Sequence, residues 1–190
     1  LIDLGDPWVG TALEPMPNGY RRNLGAYGGT VEASKSLGTL WLTALTQNDG
    51  GVLKGTNVVL RWAAGNAGGR TVTLQYFDGS SWLTIATGIS ATSGYYVWNT
   101  TGFPDSFNAR WRVAEEGAEG EPVSDQTDVL FALRNQTHGF YVNDDDQTGD
   151  IYCATNCSAS NDGLTPDTPK MTMQAILDTY DLEGGDTVYL

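Results

Sequence analysis

Asp144, Asp146 and Thr148 stand at alternate positions, with Gly149 sixth and Asp150 seventh in the same run. Hard oxygens at the first, third and fifth places, then a glycine for the sharp turn, make up the first half of a loop suited to Ca²⁺. The twelfth place holds Thr155 rather than a bidentate Glu, and no helix directly follows. The expectation is a weak calcium site at Asp144, Asp146, Thr148 and Asp150, or no cofactor at all, since a solvated acidic loop accounts for the same residues.

Cys153 and Cys157 are the only cysteines and His138 is the only histidine. Nothing completes a four-ligand zinc site, so a local disulfide is expected, pinning a turn in an oxidising compartment. Trp82, Tyr96 and Trp98 offer flat faces on which sugar rings stack. The competing reading is core packing, because strand alternation turns only one of Tyr95 and Tyr96 outward. Catalytic chemistry finds little support. His138 has no serine in a nucleophile motif, neither cysteine has a protease-like setting, and no glycine-rich phosphate loop is present. Among 23 acidic residues no pair is singled out for glycoside hydrolysis. Arg21-Arg22 reads as a turn held by arginine–carbonyl hydrogen bonds. Asn99, Asn135 and Asn156 head glycosylation acceptor sequences. No enzymatic activity is expected.

The elements that must position these residues follow from composition. The 190-residue chain has a formal net charge of −13 and 24 glycines, and only 17% of its residues are charged. Such a surface repels a phosphate backbone, so nucleic acid is excluded as a partner. Abundant Gly, Trp and Tyr suit short strands joined by tight turns and argue against a helical bundle. No apolar run is long enough to span a bilayer, and the first residues form no signal peptide. The chain therefore reads as a processed piece or an internal segment, secreted or at a cell surface.

Residues 1–36 are punctuated by Gly and Pro and admit only strand fragments, Leu1–Leu4 and Asn23–Tyr27. Residues 37–134 carry seven strand-length runs: 40–46, 57–63, 71–77, 82–86, 95–99, 107–114 and 127–133. Val58, Leu60 and Trp62 share one face of their run, and Arg110 and Arg112 point away from Trp111. Asp78-Gly79 supplies the positive φ of a tight hairpin. Seven such runs predict a two-sheet sandwich in an all-β protein. In residues 135–190, Met173, Ile176, Leu177 and Tyr180 recur at helical spacing, with Thr172 to cap the start and Gly184-Gly185 to stop it. Thr187–Leu190 then begins a strand that the chain does not continue, leaving an unfinished edge.

Val59-Leu60-Arg61-Trp62, the hairpin Thr73–Trp82 and Gly94–Trp98 resemble the immunoglobulin-like or fibronectin type III sandwich of bacterial or archaeal extracellular proteins. Such domains act as spacers or adhesive modules, and the fold itself implies no chemistry. Both ends resemble right-handed parallel β-helix proteins of the pectate-lyase-like class. Asp162–Pro169, Gln174–Leu177 and Gly185–Tyr189 are similar to the segment that opens such a solenoid, where a short helix caps the first coil. Ile2–Pro7 and Asn23–Thr30 are similar to one that closes it. The resemblance implies a window on a modular protein, or a repeat whose ends complete each other. In the second case Thr187, Val188, Tyr189 and Leu190, with Leu1 and Ile2 at the other end, join neighbouring copies by strand addition into a fibre. The expected function is thus a structural or adhesive extracellular module whose partners are copies of itself or adjacent modules. The alternative is a carbohydrate-binding accessory module, with glycans as its partners.

Overall fold

A computed structural model describes residues 5–6, 9–16, 18–34, 39–144, 146, 148–150 and 157–190. Leu1, Ile2, the rest of the Leu1–Leu4 fragment and Trp8 lie outside the described residues, as does Cys153. Among the described residues the protein is all-β apart from one short helix and a single 3₁₀ turn. Two compact units divide it, Leu1–Asn135 and Gln136–Leu190.

The first unit is a sandwich of two sheets. One contains β1 (Trp41–Ala44), β3 (Asn57–Gly65) and β6 (Tyr95–Asn99), in the antiparallel order β1-β3-β6. The other runs β2 (Val52–Lys54), β9 (Phe131–Arg134), β7 (Ser106–Glu115), β4 (Thr71–Phe77), β5 (Trp82–Ser90), and β8 (Ser124–Gln126) adds to β7. All pairs are antiparallel except β2 with β9. Strict alternation explains the core. Val58, Leu60 and Trp62 of β3, Val72, Leu74 and Tyr76 of β4, and Ala109, Trp111 and Val113 of β7 all turn inward and are buried. Three of the larger rings satisfy their polar atoms on main-chain carbonyls, whereas the buried Trp98 and Trp41 indole N–H groups find no partner among the described residues. The Trp62 indole donates to Ala91 O at 2.8 Å, the Trp111 indole to Thr46 O at 2.8 Å, and the Tyr76 hydroxyl to Pro104 O at 2.9 Å.

The seven expected runs miss β2 and β8, and the pattern falls short in two further places. The expected run 127–133 forms strand only from Phe131, because Arg110 takes the carbonyls of Thr127 and Asp128 and Asn48 takes the Asp128 N–H. Asn23–Tyr27 leads into turns rather than forming a strand. The buried Glu14 carboxylate accepts the N–H groups of Asn23 at 2.8 Å and Gly29 at 2.6 Å, folding that segment back on itself. A side chain at Gly28 would meet Asn23 O at 1.9 Å, so only glycine permits the approach.

In the second unit β10 (Gly139–Tyr141) and β11 (Thr187–Tyr189) pair in parallel, and Val142 bridges Lys170 on the far side of β10. Between them lies α1 (Met173–Thr179), capped by the Thr172 hydroxyl accepting from Ala175 N at 3.1 Å. Ile176 and Tyr180 are buried and pack this unit, with the Tyr180 ring 5.0 Å from Phe140. Met173 and Leu177 lie on the exposed side. The helix stops at Tyr180, before the glycine pair, because Tyr180 turns extended to donate its hydroxyl to Asp162 O at 2.7 Å. No described helix is long and apolar enough to cross a membrane.

Candidate functional site

At the carboxyl ends of β10 and β11 the second unit opens into a cleft lined by Val142, Asn143, Asp144, Asp146, Thr148, Asp150, Met171 and Leu190. The four residues expected at a calcium loop therefore all line this cleft. The loop is built from successive side-chain turns: Asp144 Oδ1 accepts Asp146 N at 2.8 Å, and Asp146 Oδ1 accepts Thr148 N at 3.0 Å. Hydrogen bonds from the Thr148 hydroxyl and then its N–H hold the Asp146 carboxyl below its ordinary value. All four residues are exposed. Among the described residues no three His, Cys, Asp or Glu side chains are gathered as a metal-binding group. The cleft thus presents carboxylates to solvent, bounded by Met171 and the exposed Leu190.

β11 leads into Leu190 of this lining, and its expected partner was an edge on a neighbouring copy. Within its own chain Thr187–Tyr189 pairs with β10, which occupies one of its two edges. Thr187 N donates to His138 O at 3.0 Å, and Val142 N donates to Tyr189 O at 2.9 Å. The Asp186 carboxylate secures the approach, accepting His138 N at 2.9 Å and Glu183 N at 2.8 Å. Tyr189 stacks on Tyr141 with centroids 4.9 Å apart and planes 18° from parallel. Among the described residues β11 pairs on one edge only. Because Thr187 and Tyr189 direct their main-chain groups to β10, those of Val188 point the other way.

The three expected sugar-stacking residues do not form a platform. Trp98 is only 1% exposed and packs on Tyr76 at 5.2 Å and edge-on to Phe103 at 5.1 Å. Tyr96 also packs against the core, because the phase of β6 sends even-numbered residues inward. Trp82 lies in the other sheet, and the Arg112 guanidinium covers its ring at 4.1 Å. The outward aromatic is Tyr95, with Arg61 above its ring at 6.0 Å. Alternation alone left the phase of the Tyr95-Tyr96 pair open, so the sequence carried no signal that chose between them.

Of the two arginines, Arg22 behaves as expected and donates to Gly10 O at 2.8 Å. Arg21 is different. It is buried and bonds Asp125 at 2.8 Å and Asp128 at 3.5 Å, fixing the N-terminal segment to the sandwich. Burial pushes the Asp125 carboxyl above its ordinary value, against the opposing pull of Arg21 and of the Ala44 N–H. Gly19 O accepts the Thr43 hydroxyl at 3.2 Å, and Tyr20 packs 5.7 Å from Trp41. Cys157 is half-buried, and its expected bridge to Cys153 falls outside the described residues.

No family model and no curated protein matches this chain. Among solved structures, an endo-β-1,4-mannanase from Thermotoga petrophila is similar over 52% of the chain, at 14% identity and a TM-score of 0.36. The matched part spans 20% of that enzyme's length.

Proposed function

We propose that this chain is a non-catalytic structural or adhesive module of a secreted or cell-surface protein, one that joins copies of itself head-to-tail by strand addition. The observation that carries the reading is β11. Its inner edge is fully engaged with β10, while the main-chain groups of Val188 face outward, beside the exposed Leu190. Main-chain hydrogen bonds supply the affinity in such joints, and a contact between unlike surfaces propagates rather than closes.

Two further features support the reading. In the sandwich, β2 crosses from the side of β1 to pair in parallel with the last strand, β9, and β3 and β6 face β4 and β7. This arrangement fits an immunoglobulin-like or fibronectin type III domain, whose usual role is spacing and adhesion. The right flank, with β10, a short helix and a parallel β11, fits the opening coil of a parallel β-helix, a fold that grows by adding strands at its open edge.

Size-exclusion chromatography with light scattering, run across increasing protein concentration, tests the proposal. The expected result is a mass that climbs steadily through dimer and higher species. A constant monomer mass at all concentrations rejects it.

A further inference from the structure

We propose that the open edge of β6, with the outer face of β3 beside it, receives the acidic second unit of another copy of this chain, entering through β11. This rests on the head-to-tail reading above and names the surface at which the neighbour docks.

The edge strands of the sandwich differ in how they are protected, and β8, paired only with β7, is just three residues long. On β1, the Ala44 N–H is held by Asp125 at 2.7 Å, and the Thr43 side chain is tied to Gly19 of the N-terminal segment. β2 has three residues, one of them the exposed Lys54. β5 is broken by register shifts against β4 and by Gly88 at a φ of 68°. Short length, lysines and bulges are the usual devices that keep edges from pairing. β6 has none of them. It runs five residues in unbroken register with β3 and pairs with no other described strand.

The ladder also fixes which groups β6 offers. Trp62 N donates to Gly94 O and Thr100 N to Thr56 O, so the even-numbered residues bond β3. The main-chain N–H and C=O of Tyr95, Val97 and Asn99 therefore face the open side. Their side chains share the outer face with Val59 and Arg61. Tyr95 is 55% exposed, Val97 49% and Val59 41%.

Charge selects the occupant. Residues 50–100 contain one carboxylate, Asp78, against Lys54, Arg61 and Arg70. Residues 136–190 contain ten carboxylates, and Lys170 is their only lysine or arginine. Arg70 is paired with Glu115, but the outer face formed by Val59, Arg61, Tyr95, Val97 and Asn99 carries the cation Arg61 and no carboxylate, so the acidic unit carrying β11 is its electrostatic complement. A symmetric β6–β6 pair would set the two Arg61 surfaces together and leave the acidic unit without a counterpart.

The test uses two full-length variants, Val97→Pro and Val188→Pro. Each removes an N–H that points away from its own sheet, a position where edge strands tolerate proline. Each alone should remain monomeric by sedimentation, and an equimolar mixture should form a dimer that grows no further. Arg61→Glu, an exposed change that spares the backbone, should weaken wild-type association about tenfold, and added salt should weaken it as well. Association of Val188→Pro with Val97→Pro inert would mean a β6–β6 joint and overturn this proposal, while self-assembly stands. Wild-type association in both proline variants and in Arg61→Glu would place the joint elsewhere. A wild-type chain that stays monomeric would overturn the head-to-tail reading itself.

Discussion

The sandwich and the second unit bury their apolar residues on very different scales. In the sandwich, Leu60, Leu74, Tyr76, Trp98, Trp111, Phe131 and Leu133 are all at most 2% exposed and fill the space between two sheets. Among the described residues of 136–190 the fully covered apolar side chains are Phe140 and Ile176, with Val142 and Tyr180 close behind. Polar links make up the difference there. Lys170 donates to Asn161 O at 2.9 Å, Thr168 to Asp162 at 2.6 Å, and Asp186 holds the turn before β11. A unit of 55 residues is marginal by itself, so it gains more than the sandwich does from any surface that covers it. Stability thus concentrates in the sandwich, and the incentive to associate concentrates in the second unit.

The largest effect expected on this contrast comes from Trp98→Ala, which should cost about 4 kcal/mol by opening a cavity between the sheets. All six tryptophans lie in the first unit, so their fluorescence in denaturant reports that loss alone. An unchanged midpoint would show that the core is not centred on Trp98. Next, Arg21→Ala removes the partner of a largely buried carboxylate and should cost about 3 kcal/mol. Limited proteolysis should then cut first within residues 9–34; equal resistance would mean that the N-terminal segment is held by Tyr20 and Thr43 without the ion pair. A smaller loss, about 1 kcal/mol, is expected for Thr172→Ala at the start of α1, read by far-UV circular dichroism during heating.

The smallest effects are pH-dependent and of opposite sign. Hydrogen bonds from Ser81 and Ser80 draw the Asp78 carboxyl down to about 2. Its contribution to the hairpin is therefore complete above its ordinary value near 3.8 and is lost as pH falls towards 2. Asp125 is shifted upward, so the native state takes up its proton first, and stability rises as pH falls through the window just above the ordinary carboxylate value. Acid titrations of Asp78→Asn and Asp125→Asn should flatten these slopes in opposite directions. Slopes of the same sign would contradict the assigned burial of Asp125.

Much of the sandwich was legible because its strands bury one face. Val58, Leu60 and Trp62 announce β3, and Ala109, Trp111 and Val113 announce β7, by period alone. Asp78-Gly79 and the Thr172 cap are local chemistry, read from neighbouring residues. β2 and β8, at three residues each, are too short to show a period, and their pairing depends on where distant strands fall. The match of Thr187 with Gly139 is likewise a product of chain closure across α1, invisible to any local rule. At the candidate site, the acidic wall was readable from spacing, whereas the outward Tyr95 was not, since one residue of register decides which of two adjacent tyrosines meets solvent.

Residue-resolved amide hydrogen exchange at low and high protein concentration tests the central claim most directly. Association through strand edges predicts that the amides of Tyr95, Val97, Asn99 and Val188 slow with concentration, while those on the outer edges of β2 and β5 do not. Unchanged exchange at these four amides, or protection that appears at β2 or β5 instead, would contradict it.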